Sequence, residues 1–153
     1  MRNFKNISLA FLILLSMLSG CKKDETSDQL NIDIKKIEDY LFDHSLDAQK
    51  HESGLYYIIL QPGGNDKPTK NSSITVSYKG TLLNGEVFNE NEFFTSYLSY
   101  LIEGWRLGIP MIGSGGKIKL FIPSTLGYGN KVSASIPANS VLIFDITLHY
   151  FSD

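Results

Sequence analysis

The sequence predicts an α+β domain in which a mainly antiparallel, five-stranded sheet lies over one short helix, with a second helix preceding the domain. Three observations lead to this fold class. Five segments carry the alternating or dense apolar pattern of β-strands, one segment between them has helical character, and the connections are short. Thirteen glycines, nine phenylalanines and eight tyrosines among 153 residues also suit a turn-rich protein with an aromatic interior.

Composition and charge exclude several classes of function. Hydrophobic residues make up 42% of the chain and charged residues 20%, which is the balance of a globular protein rather than of a disordered one. With 14 basic against 16 acidic side chains, the chain has no positive surplus for phosphates, so we expect no nucleic-acid partner. One cysteine and three scattered histidines provide neither a disulfide framework nor a metal-ligand set, so we expect no metal and no cofactor.

Residues 1–20 have the pattern of a secretory signal. Arg2 and Lys5 precede an apolar run at residues 9–18, which is too short to cross a membrane because a spanning helix needs about 20 residues. The run ends in Leu-Ser-Gly-Cys, which resembles the lipobox of bacterial lipoproteins and implies removal of residues 1–20 and lipidation of Cys21. A plain signal peptide that a cysteine happens to follow is the alternative. The lipoprotein interpretation predicts a lipid anchor in the bacterial cell envelope, at the outer membrane, on its periplasmic face or at the cell surface.

A charged segment and a helix follow the cysteine. Residues 21–29 are predicted to be the lipidated cysteine and a flexible tether, because no apolar side chain follows the cysteine there. The Lys-Asp-Glu of this tether resembles the surface-export signals of some Gram-negative lipoproteins, and a charged spacer without a signal is an equal alternative. Residues 30–52 are predicted to be a helix, over residues 30–46, and a linker. Asp28 is placed to cap that helix at its start.

The predicted helix carries one apolar stripe of about three turns. Lys35 and Asp39 form an i,i+4 pair on its solvent side. Because the stripe is too short for a self-sufficient coiled coil, a helix that docks on its own domain is the ordinary interpretation, and an arm for dimerisation is the sharper alternative. The residues of the stripe are Leu30, Ile34, Ile37 and Leu41.

The folded domain is predicted to occupy residues 53–153, where the apolar pattern changes to the period of two that β-strands have. A dense apolar strand covers residues 54–61, and a half-buried strand at residues 74–79 places Tyr78 on its inner face. The dipeptide Asn84-Gly85 is the preferred sequence of a two-residue hairpin turn and leads into a third strand, Glu-Val-Phe.

The second half of the domain contains the short helix and two further strands. Residues 98–109, around Trp105, are predicted to hold the helix. The strand at residues 117–122 alternates, with Phe121 on the face opposite to its isoleucines, and residues 142–150 form the last strand. The side chains of the last strand that are predicted to face the interior are Leu142, Phe144, Ile146, Leu148 and Tyr150.

Eight short motifs follow one another along the domain. They are Val76-Ser-Tyr78-Lys-Gly80, Asn84-Gly85-Glu-Val-Phe88, Leu101-Ile102-Glu-Gly104-Trp105, Gly115-Gly116-Lys117, Ile122-Pro123, Leu126-Gly-Tyr128-Gly129, Ile136-Pro137 and Leu142-Ile-Phe144-Asp145. Their order and spacing resemble those of the FKBP-type peptidyl-prolyl cis–trans isomerases over residues 53–150. Each motif alone is a weak signal, whereas eight in order are a strong one. The resemblance implies an FKBP-like sheet wrapped around the short helix, with an apolar pocket between them.

The resemblance also implies a role for each residue of that pocket. Six residues would form its catalytic walls, floor and mouth, and three more would bind substrate, with the backbone N–H of Ile102 facing the substrate carbonyl. Tyr128 is the most informative of them, because a loop aromatic between two glycines is not typical of core filling. The six are Tyr78, Phe88, Asn89, Trp105, Tyr128 and Phe144, and the three are Leu101, Ile102 and Ile136.

Two features depart from the family pattern. Asn89 stands where the family usually has aspartate, so a charge-assisted hydrogen bond to a pocket tyrosine would be weakened. The stretch from Phe88 to Trp105 is shorter than in many members and contains four aromatic residues of which the sequence does not say which faces the pocket. These residues are Phe93, Phe94, Tyr97 and Tyr100.

The first functional hypothesis is a lipid-anchored prolyl isomerase that acts on proline-containing, unfolded or partly folded envelope proteins, with the membrane as a partner through the anchor and a macrolide as a ligand. The second is a chaperone or binding module of the same fold with little turnover. A structural lipoprotein of a surface or motility apparatus is a third. The nearly complete aromatic set favours the first hypothesis, and Asn89 favours the second.

Overall fold

A computed structural model of the chain, which describes residues 25–153, shows an antiparallel sheet with one helix packed on each face. The predicted α+β class is confirmed. The sheet has six strands rather than five, because a two-residue strand precedes the first predicted one and pairs with it. The helices are α1 (Glu25–Asp43) and α2 (Glu103–Gly108), and the strands are β1 (Gln49–Lys50), β2 (Tyr56–Gln61), β3 (Ser73–Leu82), β4 (Val87–Tyr97), β5 (Lys117–Ile122) and β6 (Leu142–Ser152).

The strand order is β1-β2-β5-β6-β3-β4, and every neighbouring pair is antiparallel. The inner face of the sheet packs against α2. A helix of six residues is unstable by itself, so α2 depends on this packing. Gly104 and Gly108 let it approach β5 closely, since a Cβ at these positions would lie 2.5 Å from Ile122 and 2.6 Å from Leu120. Single 3₁₀ turns, Leu98–Tyr100 and Ile109–Met111, flank the helix, so of the residues 98–109 predicted to hold it only residues 103–108 are α-helical.

The outer face of the sheet is covered in part by α1. Ile37 and Leu41 of the predicted stripe are buried there, and Phe121 is fully buried on the same side, although its strand pattern alone would leave it facing solvent. The helix therefore docks on its own domain, as the first of the two interpretations expected. This second apolar cluster consists of Ile37, Leu41, Tyr56, Phe121, Val141 and Ile143.

The bounds of α1 differ from the prediction. Within the described residues the helix covers Glu25–Asp43, so residues 25–29 are helical rather than part of a tether, and Asp28 lies inside the helix instead of capping it. Residues 25–29 precede the buried stripe and carry no apolar side chain, so the apolar spacing in the sequence does not mark them as helical. The predicted pair is present, with Lys35 Nζ 3.0 Å from Asp39 Oδ2.

The hairpin between β3 and β4 also differs from the predicted two-residue turn. The amide of Gly85 donates to the carbonyl of Leu82, and the amide of Leu82 donates to the carbonyl of Glu86, which closes a three-residue loop. Gly85 has φ +84°, the left-handed conformation that such a loop requires at its last position. Strand β4 continues to Tyr97, well beyond the predicted Glu-Val-Phe, as the edge strand of the sheet.

The prediction that Tyr150 faces the interior is wrong. Thr75 pairs with Tyr150 but Val76 pairs with Leu148, so His149 is an extra residue in β6, a β-bulge. The bulge reverses the alternation after Leu148, and Tyr150 is 61% exposed while the next residue packs against the core.

The predicted signal at residues 1–20, the lipidation site Cys21 and the start of the tether lie outside the described residues. Among residues 25–153, no helix is both long and apolar enough to cross a membrane.

Candidate active site

A half-open cavity of about 260 Å³ lies between the inner face of the sheet and α2. All nine pocket residues predicted from the sequence line it, and they come from β3, β4, β6, α2, the segment directly before α2 and the loop between β5 and β6. The nine are Tyr78, Phe88, Asn89, Leu101, Ile102, Trp105, Tyr128, Ile136 and Phe144.

Trp105 is the floor of this cavity, and other rings contact it edge-to-face. The indole is 4% exposed, and its ring lies 5.1 Å from Tyr78 at 81°, 5.1 Å from Phe144 at 87° and 6.4 Å from Phe94 at 85°. Perpendicular contacts of this kind place the positive edge of one ring on the negative face of another, which fixes ring orientation. The cavity therefore has a defined aromatic shape.

The upper wall of the cavity depends on a glycine, which leaves space for two aromatic rings. Phe88 and Phe144 meet at right angles, 5.4 Å apart, directly over Gly80 of β3. A Cβ on Gly80 would lie 2.5 Å from the Phe88 ring and 2.8 Å from the Phe144 ring. Both rings occupy space that any other residue at this position would fill, so Gly80 is a determinant of the cavity that sequence reasoning did not single out.

A hydrogen bond joins the two polar members of the wall. The Tyr78 hydroxyl donates to Asn89 Oδ1 at 2.6 Å. Burial raises the pKa of the Tyr78 phenol above its usual value, and the neighbouring Tyr128 raises it further, so the phenol keeps its proton at neutral pH. The acceptor is a neutral amide, where a carboxylate would make a stronger, charge-assisted bond.

Two loop segments form the mouth. Tyr128 is 40% exposed and follows the 3₁₀ turn Ser124–Leu126. A tight turn then presents Ile136, whose backbone exchanges two hydrogen bonds with Ser133 at 3.0 and 2.8 Å, and Ala134 at its tip has φ +49°. Ile136 is buried beneath this turn, whereas the tyrosine ring stays at the surface.

The structure also shows which of the four aromatic residues between Phe88 and Trp105 faces the cavity. Phe94 lines it and contacts the rings of both Tyr78 and Trp105, while Phe93 is 71% exposed and stacks on His149 at 5.0 Å. Tyr97 and Tyr100 contact each other at the surface instead. The sequence does not distinguish Phe94 from its aromatic neighbours, and no motif marks three small residues of the mouth. The three are Ser133, Ala134 and Ser135.

The chemistry of the cavity is apolar and neutral. None of the described residues that line it carries a formal charge at neutral pH, and aromatic and aliphatic side chains predominate. Ile102 precedes α2, and its carbonyl accepts hydrogen bonds from the amides of Trp105 and Arg106. Such a cavity can enclose a small apolar ring together with the amide attached to it.

A sheet packed on a short helix, with an aromatic cavity between them, defines the class that the motifs predicted. The model of the family "FKBP-type peptidyl-prolyl cis-trans isomerase" matches residues 64–149, which is more than half of the chain. The chain belongs to this family.

Individual relatives support the assignment. FkpA of Buchnera aphidicola subsp. Schizaphis graminum, named an FKBP-type peptidyl-prolyl cis-trans isomerase, is 44% identical over 129 residues, which are 81% of this chain and 51% of that protein. The crystal structure of FkpA from Escherichia coli superposes with a TM-score of 0.72 at 31% identity, over 84% of this chain and 63% of that one. A peptidyl-prolyl cis-trans isomerase from Pseudomonas syringae pv. tomato superposes with a TM-score of 0.70 at 25% identity, over 80% and 96%. The chain thus spans about half the length of the Buchnera FkpA that it matches.

Proposed function

We propose that the chain is a peptidyl-prolyl cis–trans isomerase that assists the folding of proline-containing proteins in the bacterial cell envelope, where a lipid on Cys21 attaches it to the outer membrane. The observation that carries the proposal is the neutral aromatic cavity over Trp105, in a chain of the FKBP family. The substrates are X-Pro bonds in unfolded or partly folded proteins, and no cofactor is required.

The physical basis is the polarity of the amide. Resonance makes the planar X-Pro amide charge-separated and gives its rotation a barrier of ~18–20 kcal/mol. The twisted transition state has lost this resonance and is less polar, so an apolar cavity that excludes water favours it over the planar forms. In the proposed complex the proline ring lies on Trp105, the N–H of Ile102 faces the substrate carbonyl, and Tyr128 closes the mouth over the bound segment.

A second candidate function is favoured by Asn89. If the neutral amide leaves the Tyr78 hydroxyl too weakly fixed, the cavity would hold proline-containing segments with little turnover, and the protein would act as a chaperone or binding module. The Tyr78 hydroxyl already lies 2.6 Å from Asn89 Oδ1, so the choice between the two candidate functions depends on the charge of the acceptor and not on its position.

Substitution of Asn89 by aspartate tests both candidates. We expect Asn89→Asp to raise kcat/KM on a short X-Pro peptide on the order of fivefold, because a charge-assisted hydrogen bond to Tyr78 is stronger by ~1 kcal/mol. We expect Tyr128→Ala to weaken substrate binding at little cost in stability, because the side chain lies at the mouth and not in the core. The measurement is a protease-free isomerisation assay.

Asn91→Asp is the matched control, since it adds the same charge to the same strand outside the cavity lining. Equal rates in all variants, above the uncatalysed rate, would place the catalytic surface elsewhere. If neither the wild type nor any variant is active although a ligand binds the cavity, the isomerase function is refuted and the chaperone or binding module is favoured.

A macrolide titration tests the cavity independently of turnover. We expect an immunosuppressant macrolide such as FK506 to bind and to quench the fluorescence of Trp105, which is the only tryptophan of the chain and forms the cavity floor. Binding should also raise the melting temperature, because the ligand stabilises only the folded state. Phe94→Ala should weaken both effects, whereas the exposed Tyr150→Ala should leave them unchanged. An unaltered fluorescence and melting temperature at saturating macrolide would count against this ligand class.

The anchoring part of the proposal depends on the sequence around Cys21. The only cysteine of the chain stands directly after Leu-Ser-Gly, where a lipobox requires it. An anchored isomerase would meet client proteins at the membrane surface as they emerge and fold. Whether the anchor faces the periplasm or the cell surface follows from protease accessibility in intact cells.

A further inference from the structure

A fully buried carboxylate on α1 contacts the loop that forms the mouth of the cavity. Asp33 of α1 has no exposed side-chain surface, and its Oδ2 accepts hydrogen bonds from the Ser124 amide at 2.8 Å and from the Ser124 hydroxyl at 2.5 Å. Ser124 is also fully buried and lies 91 residues further along the chain. The contact joins the first helix to the segment that follows β5.

The carboxylate is satisfied on both oxygens. Its Oδ1 accepts from Gln29 Nε2 at 2.8 Å and faces Lys36 Nζ at 3.4 Å. Burying a carboxylate without partners is costly, so four donors around one side chain mark a built position rather than an accident of packing. The apolar cluster of Ile37 and Leu41 already docks α1 on the sheet, so docking alone does not require a charge here.

The hydrogen bonds continue from Ser124 to the cavity. Its carbonyl accepts from the amides of Gly127 at 2.9 Å and Gly129 at 2.8 Å, the two residues that flank Tyr128. The carbonyl of Gly129 in turn accepts from the amide of Asn139. Ser124 therefore donates two hydrogen bonds to Asp33 of α1, and its carbonyl fixes the backbone on both sides of Tyr128 at the mouth.

We propose that Asp33 is a positioning residue of the active site, which fixes Ser124 and thereby holds Tyr128 over the cavity. The docking of α1 is then coupled to substrate affinity, although α1 contributes no residue to the cavity lining. This inference rests on the proposed isomerase function, and it assigns a role in that function to a helix that precedes residues 64–149, the part of the chain that the family model matches.

The experiment is a double-mutant cycle in the full chain. Asp33→Asn keeps the shape of the side chain but leaves one acceptor oxygen, so we expect kcat/KM on an X-Pro peptide to fall about three- to tenfold, mainly through a higher KM. The same substitution in a Tyr128→Ala background should cause no further loss, since its effect passes through the tyrosine. Asp39→Asn, an exposed carboxylate on the same helix, is the control and should change nothing.

A purely structural role would give a different pattern. Equal losses from Asp33→Asn with and without Tyr128, or unchanged kinetics in a stably folded variant, would overturn the inference. If Asp33→Asn does not fold, Ser124→Ala, which removes only the hydroxyl bond, replaces it in the cycle.

Hydrogen exchange separates this inference from the proposed function. Faster exchange of the Gly127 and Gly129 amides in Asp33→Asn, with unchanged exchange in β6, supports the positioning role. Unchanged exchange at both amides overturns it. An inactive wild type would refute the isomerase function, and the exchange result would then decide the coupling alone.

Discussion

Replacing Gly80 by alanine is expected to lower kcat/KM on an X-Pro peptide about tenfold or more. The new Cβ would lie 2.5 Å from the Phe88 ring and 2.8 Å from the Phe144 ring, so both rings must move toward the cavity. Inserting a methyl group into a packed site costs ~1–3 kcal/mol, and each ~1.4 kcal/mol of lost transition-state stabilisation is tenfold in rate. The measurement is the isomerisation assay together with thermal unfolding.

Gly85→Ala is the matched control on the same hairpin. Gly85 has φ +84°, and apart from Gly85 itself and its two chain neighbours no heavy atom lies within 4 Å of the position that a Cβ would take there. Alanine therefore strains the backbone by ~1 kcal/mol without reaching the cavity. This variant should lose some stability and keep its kcat/KM. If Gly80→Ala folds and retains full activity, the two rings do not form the catalytic wall.

Replacing Cys21 by serine is expected to abolish lipid labelling completely. A hydroxyl cannot form the thioether through which a lipobox cysteine carries its lipid, so labelling with radioactive palmitate should disappear and the protein should leave the membrane fraction. Isomerase activity in solution should remain, because the cavity is lined by residues between Tyr78 and Phe144. The test compares labelling, fractionation and activity of the two proteins expressed in a bacterial host.

A second variant controls for the mere presence of a thiol. Combining Cys21→Ser with Ser27→Cys returns one cysteine to the chain six positions beyond the lipobox, and labelling should not return. Labelling and membrane attachment that survive Cys21→Ser would refute the lipoprotein interpretation and with it the proposed location.

The sequence predicted the architecture well where one face of an element is buried. The stripe of α1 and the alternation of β5 depend on burial, and both recur in the structure. The polar first turn of α1 and the edge strand β4 have no such pattern, because solvent reaches them. Side-chain polarity therefore did not indicate that α1 includes Glu25 or that β4 continues to Tyr97.

The residues of the site could be predicted from the sequence where a family motif contains them. The nine residues taken from the family pattern all line one cavity, but Phe94 could not be chosen over Phe93. The reason is that β4 is irregular: Val76 pairs with Phe94 but Tyr78 with Asn91, and Gly80 pairs with Asn89 but Thr81 with Val87. Each of these two register shifts inserts one residue into β4 and reverses the alternation, and a single sequence does not show where such bulges occur.

The position of β6 in the sheet bears on how the protein folds during synthesis. This strand comes last in chain order yet lies between β5 and β3, so it alone connects the two halves of the sheet. Until Leu142–Ser152 are made, only a β1-β2-β5 group and a β3-β4 hairpin can form. The pairing of β3 with β6 joins residues that are far apart in the sequence, and pairing of this kind is slow. The two parts of the sheet therefore stay separate until the last strand emerges. Since Phe144 belongs to that strand, the cavity and the closed sheet arise in the same late step.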